Sequence, residues 1–374
     1  MNSSSLIFDL DLSDLTELLV SWGEPAFRSK QIWQGLYHQF WNSPDQFTAL
    51  PKKLRERLAE TFQQTQNDPQ ISFSSLSPTT VLDSSDGETR KTLFLLPDLR
   101  PIEAVLMRYS DRRTLCISTQ SGCAMGCVFC ATGQMGFGRH LRSGEIVEQV
   151  LYYARLLAAQ GEVVTNVVVM GMGEPFHNFD ATLTALERLS NPEGMNLGAR
   201  RFTISTVGLT PAIRKFAARK SQINLAVSLH AANDELRSSM LPINKKYPLS
   251  DLIDACREYI SLTHRRISFE WALISGVNDT PDQARQLAAL LQPLRLSGTL
   301  LAHINAIPLN PTSRFKQQAA SRQNALAFQK VLENLGIPCT IRLRRGIDIQ
   351  AGCGQLAGAN LNPPRSAQNQ ILDT

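Results

Sequence analysis

The spacing of apolar and polar residues changes several times along the chain, and each change predicts a different kind of element. Between residues 114 and 345, short apolar runs alternate with longer segments in which apolar residues recur every three to four positions. The short runs are typical of buried strands and the longer segments of amphipathic helices. Predicted strands lie at 114–119, 166–171, 201–206, 223–230, 266–274, 300–309 and 339–343, and predicted helices at 143–160, 181–189, 211–219, 249–263, 281–291 and 322–335.

This strand–helix alternation, repeated about six times, predicts an α/β fold with a parallel sheet, arranged as a partial (βα)6 barrel of the TIM type. In such folds the chemistry lies at the carboxyl ends of the strands. Several polar, cysteine and glycine residues fall at those ends and are candidates for a functional site, namely Cys123, Gly173, Glu174, Ser205, Ser228, His230 and Asn310.

Residues 1–66 predict a small helical accessory domain with amphipathic segments at 15–22, 28–40 and 50–62. Basic residues there are interleaved with Trp33, Tyr37 and Trp41. Basic plus aromatic residues are typical of RNA-binding surfaces, where they contact phosphates and stack on bases. Aromatic residues at helical spacing are equally typical of a core, so both interpretations stay open.

Residues 67–113 predict an antiparallel β extension, because short alternating runs are separated by turn residues such as Asp86-Gly87 and Pro97-Asp98. Glu103 lies in the last of these strands among apolar neighbours. Such a carboxylate is either an edge residue that faces water or a base that faces the site.

Three cysteines, Cys123, Cys127 and Cys130, follow the first barrel strand with the spacing C-x3-C-x2-C. Both spacings are short enough for a single loop to direct three thiolates at one metal cluster. Three protein ligands leave one metal corner open, whereas a structural zinc site takes four. A zinc site completed by His140 or another cysteine, or no metal at all, are the alternatives.

A second motif is Gly171-Met172-Gly173-Glu174-Pro175, directly after a buried strand. The glycines allow a ligand to approach the main chain beside a fixed carboxylate, and the proline stiffens the exit. The motif is not a dinucleotide fingerprint, because no G-x-G-x-x-G opens the following helix. A plain turn is the alternative.

Of the four cysteines outside the cysteine loop, two are candidates for chemistry, Cys116 on the first predicted barrel strand and Cys353 near the C-terminus. Cys353 lies in a turn of small residues within the predicted loop 346–360, where a thiol is accessible and suits a nucleophile. An inert thiol is the alternative for Cys353, and a buried strand residue is the alternative for Cys116. Cys256 and Cys339 are predicted to be structural.

Composition limits the class of protein. The chain has 374 residues, 43% of them hydrophobic, with no apolar run long enough for a membrane span. Seven cysteines, an odd number with three clustered, argue against a disulfide scaffold and for a reducing, cytoplasmic location. A net charge of +5 permits a nucleic-acid partner without requiring one. Residues 361–374 predict a disordered tail.

The cysteine motif, with an aromatic residue before its last cysteine, resembles the cluster loop of the radical S-adenosylmethionine (SAM) superfamily. Further motifs resemble the dual-specificity RNA methyltransferases, which methylate C2 of an adenine in 23S rRNA and in certain tRNAs. These motifs are TLCISTQSGCAMGCVFCATGQMGFGR, VVVMGMGEP, AVSLHA, AIPLNP, DIQAGCGQLAG and the N-terminal GEPAFR. The resemblance covers about residues 12–360, and Gly352 departs from the alanine usual in the family.

The resemblance implies a radical SAM fold and a set of roles. One [4Fe-4S] cluster would be held by Cys123, Cys127 and Cys130, and two SAM molecules would be used per turnover. The SAM contacts it implies are Gly173, Glu174, Ser205, Ser228, Leu229, His230 and Asn310. Cys353 would carry a methyl group to the adenine, Glu103 would act as the base, and Cys116 would release the RNA through a transient disulfide with Cys353.

The partners implied are 23S rRNA, tRNA, where the target is the adenine next to the anticodon, and a reducing protein such as flavodoxin or ferredoxin. We expect a monomer that is not bound to a membrane. One alternative is methylation of adenine C8, a resistance activity that shares the motifs. Another is a non-catalytic iron–sulfur or zinc RNA-binding module, against which the two extra cysteines argue.

Overall fold

The N-terminal part of the chain is a helical unit, as predicted. The computed structural model describes residues 5–62, 71–312 and 314–356. The unit contains strand β1 (Ser5–Leu6) and helices α1 (Leu12–Ser21), α2 (Phe27–Tyr37) and α3 (Lys52–Phe62), and β1 pairs in parallel with β2 (Ile71–Ser72). The predicted disordered tail and the end of the predicted cysteine loop, 357–360, lie outside the described residues.

Two aromatic residues of α2, Trp33 and Tyr37, belong to the core, so of the two open interpretations the core holds for these rings, whereas Phe27 on the same helix is exposed. Trp33 and Tyr37 are fully buried and pack with ring centroids 4.4 Å apart, and Phe8 meets Tyr37 edge to face. A Cβ on Gly194 would lie 3.0 Å from the Trp33 indole nitrogen, so this core is packed closely. Stacking on a nucleobase would require both rings to leave it.

The antiparallel extension consists of β3 (Ser77–Asp83), β4 (Thr89–Leu95) and β5 (Pro101–Arg108). The predicted Asp86-Gly87 turn joins β3 to β4, and Gly87 has the positive φ of 71° that favours glycine. β5 pairs antiparallel with β6 (Arg113–Cys116), the first barrel strand. The proposed domain division at residue 113 therefore falls within one continuous sheet.

The seven predicted strands and six predicted helices of the barrel are present, and two short antiparallel pairs and two short helices that were not predicted lie between them. In chain order the elements after β6 are β7 (Gln120–Gly122), α4 (Ala131–Met135), β8 (Phe137–His140), α5 (Ser143–Ala158), β9 (Asn166–Val169), α6 (Phe179–Leu189), β10 (Phe202–Thr206), α7 (Thr210–Ala218), β11 (Asn224–Ser228), α8 (Asp234–Met240), α9 (Leu249–Thr263), β12 (Ile267–Leu273), α10 (Pro281–Leu290), β13 (Arg295–Leu296), β14 (Thr299–Leu300), β15 (Ala302–Pro308), α11 (Arg322–Asn334) and β16 (Cys339–Ile341).

One ten-stranded sheet joins the extension to the barrel, in the order β16-β15-β12-β11-β10-β9-β6-β5-β4-β3. Within this sheet, the strands from β6 to β16 all pair in parallel. In the described chain the sheet is open, with β3 and β16 at its edges. The predicted α/β fold with a partial barrel is therefore confirmed.

The segment after β16, which is one edge strand of the sheet, returns to the extension near the other edge. It therefore spans the gap that the open sheet leaves in the barrel. Arg345 Nη1 donates to the Arg108 carbonyl at 3.1 Å, and the Ser85 amide donates to Asp348 Oδ2 at 2.7 Å. Lys91 Nζ donates to the Gln350 carbonyl at 3.2 Å. The extension thus supports the C-terminal turn that carries Cys353.

The barrel strands bury an apolar face on the side of the sheet opposite the cavity-lining residues, because neighbouring strand residues point to opposite faces. Val167, Ile204, Leu225 and Phe269 are fully buried on β9, β10, β11 and β12. Among the helices in the described ranges, none is both long and apolar enough to cross a membrane.

Candidate active site at the carboxyl ends of the barrel strands

Two adjoining cavities lie within the barrel. The first, of about 170 Å³, is at the carboxyl ends of the parallel strands. The second, of about 330 Å³, extends to residues near the starts of the strands, such as Asn166 and Thr203. The first brings together most of the residues that the sequence singled out, namely Cys123, Cys127, Cys130, Gly173, Glu174, Ser205, Ser228, His230, Asn310 and Cys353. Leu229 is fully buried and does not line either cavity, and Glu103 does not line them either.

The three clustered cysteines lie on a loop between β7 and β8, which form an antiparallel pair. Gly122 has φ +74°, and a Cβ there would overlap the Gly136 carbonyl, so only glycine lets the two sides close. The Cys123 amide donates to that carbonyl at 2.9 Å. Burial raises the pKa of the Cys123 thiol to about 12 and that of Cys127 well above its ordinary value.

The three cysteines lie on one loop and line the same cavity, and thiolates are the ligands of iron–sulfur clusters, so this donor set suits such a cluster. In the described part of the chain, no group of three or more His, Cys, Asp or Glu side chains is arranged to hold one metal ion. His140 does not line the cavity, and its Nδ1 lies 2.9 Å from Gln120 Nε2. The zinc alternative that uses His140 is therefore not supported.

Glu174 connects the ends of two neighbouring barrel strands. Its Oε1 accepts from the Phe176 amide at 3.0 Å and its Oε2 from the Val207 amide at 2.8 Å. Gly173 before it has φ +105°, and a Cβ there would lie 2.6 Å from Gln120 Cβ. Burial raises the pKa of Glu174 to about 7, although its hydrogen bonds act in the opposite direction.

The other candidate SAM contacts surround the same cavity. Ser205 Oγ and Ser228 Oγ are 3.4 Å apart. His230 Nδ1 accepts from the Ala272 amide at 2.9 Å, and burial lowers the pKa of His230 to about 3, so the ring is neutral at physiological pH. Asn310 Nδ2 donates to the Cys353 carbonyl at 3.0 Å, while its Oδ1 is buried without a protein partner. That oxygen is a natural acceptor for a ligand N–H or O–H group.

Arg237, which the sequence analysis did not single out, binds backbone carbonyls at the carboxyl ends of two barrel strands. It is fully buried on α8 and donates to the carbonyls of Val207 (2.6 Å), Leu229 (3.1 Å) and Ser228 (3.2 Å). It also donates to Asn244 Oδ1 at 2.7 Å. Burial lowers its pKa to about 10, which still leaves it charged at neutral pH. The ends of β10 and β11, at Val207 and at Ser228-Leu229, are therefore held by one guanidinium.

Cys116 and Cys353 face the same cavity although they are distant in the chain. Cys116, at the end of β6, and Cys353 both line the second cavity, and Cys353 also lines the first. Both are free thiols, and Cys353 is exposed to the cavity space. The enclosing walls raise the pKa of Cys353 to about 11, with Glu270 adding to the effect, and burial raises that of Cys116 further.

Gly352 allows Asn310 to approach the Cys353 turn. A Cβ at Gly352 would lie 2.7 Å from Asn310 Nδ2 and 2.8 Å from Gln355 Oε1, closer than ordinary contact. Both side chains hold the turn by hydrogen bonds, since Gln355 Oε1 accepts from the Gly352 amide at 3.0 Å. The departure noted in the sequence therefore lies where the turn meets the barrel.

Glu103 is buried and paired. Its Oε1 lies 3.4 Å from Lys91 Nζ. The alternative in which Glu103 is a water-facing edge residue is therefore wrong, because only 4% of the residue is exposed. Glu270, which the sequence did not single out, lines both cavities and accepts from Asn305 Nδ2 at 2.9 Å; burial raises its pKa.

Basic residues surround the second cavity, which is lined by Arg112, Arg342, Arg344 and Arg345. Arg112 and Arg345 each stack on the Tyr109 ring, at 4.3 and 4.4 Å from its centroid. This opening combines positive charge with a flat ring, which suits a nucleic acid.

Comparisons with known proteins agree with this geometry. Residues 117–288 match the Radical SAM superfamily, and residues 6–63 match the Ribosomal RNA large subunit methyltransferase N-terminal domain. A crystal structure of a radical SAM methyltransferase from Sphaerobacter thermophilus superposes with a TM-score of 0.88 at 47% identity, covering 95% of this chain and 99% of that one. The chain is thus a radical SAM methyltransferase, a class that uses a [4Fe-4S] cluster and SAM.

Curated relatives narrow the family. A Chloroflexus aurantiacus protein, "Probable dual-specificity RNA methyltransferase RlmN", is 49% identical over 98% of this chain and 96% of its own length. A Myxococcus xanthus protein, "Dual-specificity RNA methyltransferase RlmN 1", is 45% identical over 95% of both chains. This chain belongs to the RlmN family of RNA methyltransferases.

Proposed function

We propose that this enzyme methylates C2 of a specific adenine in 23S rRNA and of the adenine next to the anticodon in tRNAs, through a methylated cysteine. The observation that carries the proposal is the shared cavity of Cys116 and Cys353, with Cys353 also facing the cysteine-loop cavity. Adenine C2 is an electron-poor carbon, so it does not attack the methyl group of SAM directly. A cysteine that carries the methyl group avoids this difficulty.

The residues present fit the cofactors. Cys123, Cys127 and Cys130 would hold the cluster with one iron left for SAM, and two SAM molecules would be used per turnover. Around SAM stand Gly173, Glu174, Ser205, Ser228, His230 and Asn310, with Leu229 fixing the backbone between two of them. When bound, the cluster would supply one-electron chemistry: the electron for the reductive cleavage of SAM, and an acceptor for the surplus electron of the base adduct.

The side chains of the protein perform the remaining steps. Cys353, as a thiolate, takes a methyl group from the first SAM. After hydrogen abstraction, its methylene carbon is joined to adenine C2, and Glu103 accepts the C2 proton. Cys116 then attacks the sulfur of Cys353, so that the sulfur–carbon bond breaks as the disulfide forms, and a proton completes the methyl group. A reductant restores both thiols.

The test is Cys116→Ala with reconstituted cluster, reductant, SAM and a 23S rRNA fragment under anaerobic conditions. We expect a covalent protein–RNA adduct that survives denaturation, because nothing attacks the Cys353 sulfur. Cys256→Ala, which alters a buried cysteine of α9, should turn over normally as the matched control. Free methylated RNA at the normal rate from Cys116→Ala would refute the proposed role.

Nucleoside mass spectrometry of the wild-type product decides the position. We expect 2-methyladenosine from both rRNA and tRNA. Finding 8-methyladenosine instead would assign the enzyme to the C8 activity, and no methylation with an intact cluster and SAM bound would favour the non-catalytic RNA-binding module.

We further propose that the enzyme acts as a cytoplasmic monomer reduced by flavodoxin or ferredoxin. All seven cysteines are free thiols, as a reducing compartment requires. RNA would approach over the basic opening near Arg112 and Arg344. The target base must leave its stack to reach the cavity, at a cost of a few kcal/mol. Analytical ultracentrifugation and reduction assays with each donor test these assignments.

A further inference from the structure

Lys91 is a buried lysine that connects two parts of the site. It lies on β4 with 6% of its surface exposed. Its ammonium is 3.4 Å from Glu103 Oε1 on β5 and donates to the Gln350 carbonyl at 3.2 Å. A buried ammonium is costly unless it is paired and hydrogen-bonded, so these two contacts fix where Lys91 lies.

The strand alternation and the sheet register place Glu103 on the face of the sheet that lines the second cavity. Side chains two residues apart on a strand face the same way. Val105 and Met107 on β5 line the second cavity, so Glu103 belongs to the same face. Cys116 is the register partner of Val105 and lines that cavity too. Glu103 and Cys116 are therefore neighbours on one face of the sheet.

The second contact of Lys91 reaches the turn that presents Cys353. Gln350 has φ +54°, and the adjoining Ala351 amide donates to the Gly346 carbonyl at 2.7 Å, so the segment is a compact turn. A Cβ on Gly346 would lie 2.8 Å from Thr89 Cγ2 on β4, which shows how closely this turn is seated. The Gln350 carbonyl can meet Lys91 only while the turn is docked on the extension.

We propose that Lys91 is a positioning residue for proton removal: it keeps Glu103 ionised on the Cys116 side of the cavity, and the docked Cys353 turn holds Lys91 in place. The inference rests on the proposed function. In the step concerned, the proton moves from adenine C2 to a carboxylate oxygen of Glu103. The electron pair of the C–H bond stays in the base, and a bound iron–sulfur cluster would be the acceptor for the one surplus electron of the adduct. A carboxylate buried without a counter-charge takes up a proton and no longer serves as a base.

The experiment compares Lys91→Met, Lys91→Arg, Glu103→Gln and the surface control Lys215→Met, whose ammonium pairs with Asp180 at 2.8 Å. Intact-mass measurement gives the fraction of protein methylated at Cys353, and denaturing gels give the lifetime of the RNA adduct. We expect Lys91→Met to be methylated at Cys353 and to keep its RNA adduct at least about tenfold longer than wild type, as Glu103→Gln does, since a general base contributes about 10² to 10⁴. Lys91→Arg should release RNA faster than Lys91→Met, and Lys215→Met should match wild type.

A double variant separates positioning from simple structural support. Replacing both members of a buried pair by apolar residues avoids an unpaired charge, so Lys91→Met/Glu103→Leu remains informative even if Lys91→Met folds poorly. Because Lys91 acts through Glu103, the double variant should release RNA as slowly as Glu103→Leu, with no further effect. The idea is wrong if Lys91→Met releases RNA at the wild-type rate, or if it slows release further when Glu103 is already leucine.

The Cys116→Ala variant distinguishes this inference from the function on which it rests. If Cys116→Ala forms no adduct, the cysteine-transfer function fails and the role of Lys91 fails with it. If Cys116→Ala traps the adduct while Lys91→Met does not, only the role of Lys91 is refuted.

Discussion

Replacing Arg237 by methionine tests how much of the barrel mouth depends on one buried cation. The guanidinium donates to the carbonyls of Val207, Leu229 and Ser228 and to Asn244 Oδ1. Methionine fills a similar space but donates nothing. Each buried acceptor that loses its partner costs about 1 to 3 kcal/mol. At least three acceptors lose their hydrogen bonds, which destabilises the protein, whereas removal of the buried charge relieves its desolvation cost and offsets part of that effect. We therefore expect a loss of about 3 to 5 kcal/mol in the free energy of unfolding.

Urea unfolding of the cluster-free protein at pH 7, followed by circular dichroism, measures this loss. Arg237→Lys should be intermediate, because an ammonium lacks the planar fork that reaches several carbonyls. Arg285→Met is the control, since Arg285 is an exposed residue that pairs with Asp282 on the same helix, and a change there should cost under about 0.5 kcal/mol. SAM binding should weaken in Arg237→Met as well. A loss below about 1 kcal/mol would show that the network is not needed.

Three further predictions follow from the site. The pKa of Glu174 is raised from 4.5 to about 7, so its stabilising protonation is complete below about pH 4.5 and lost as pH rises through 7. Urea unfolding should show wild type losing about 2.5 kcal/mol relative to Glu174→Gln between pH 5 and 8. Equal pH dependence of the two would contradict the burial argument. Cys127→Ala should abolish iron uptake after reconstitution, while Cys256→Ala retains it, as measured by iron content and absorbance; full iron content in Cys127→Ala would remove it from the ligand set. RNA affinity should fall steeply with salt, and Arg344→Ala should reduce the slope of log K against log salt by about 1; an unchanged slope would place Arg344 away from the phosphates.

The order of helices and strands was predictable because, along most of the chain, the spacing of apolar residues in the sequence matches the residues that the elements bury. The strands β9 to β12 carry buried apolar runs, and amphipathic helices separate them. Parallel strands share one carboxyl edge, so residues such as Glu174, Ser205 and His230 had to meet once the fold class was known. The cavity was therefore predictable although its members are spread over much of the chain.

Long-range register and burial were not predictable. Arg237 lies in the segment DELRSSM, which has the polar pattern of a solvated helix, and only the docking of α8 under the strand ends buries it. The alternation of β4 places Lys91 on the face of Leu93, a signal that could have been noticed, but its partners Glu103 and Gln350 depend on the packing of three segments. The rings of Trp33 and Tyr37 fitted two interpretations, and burial decided between them.

The contact between the C-terminal turn and the cysteine loop has a consequence for how the enzyme is made. The Ala131 amide donates to the Gly354 carbonyl at 2.7 Å, and Thr132 Oγ1 donates to the Leu356 carbonyl at 2.6 Å. The ribosome synthesises the cysteine loop long before this covering turn. In a newly made chain, the three cysteines of the loop therefore stay uncovered until the turn that carries Cys353 has been synthesised and has docked.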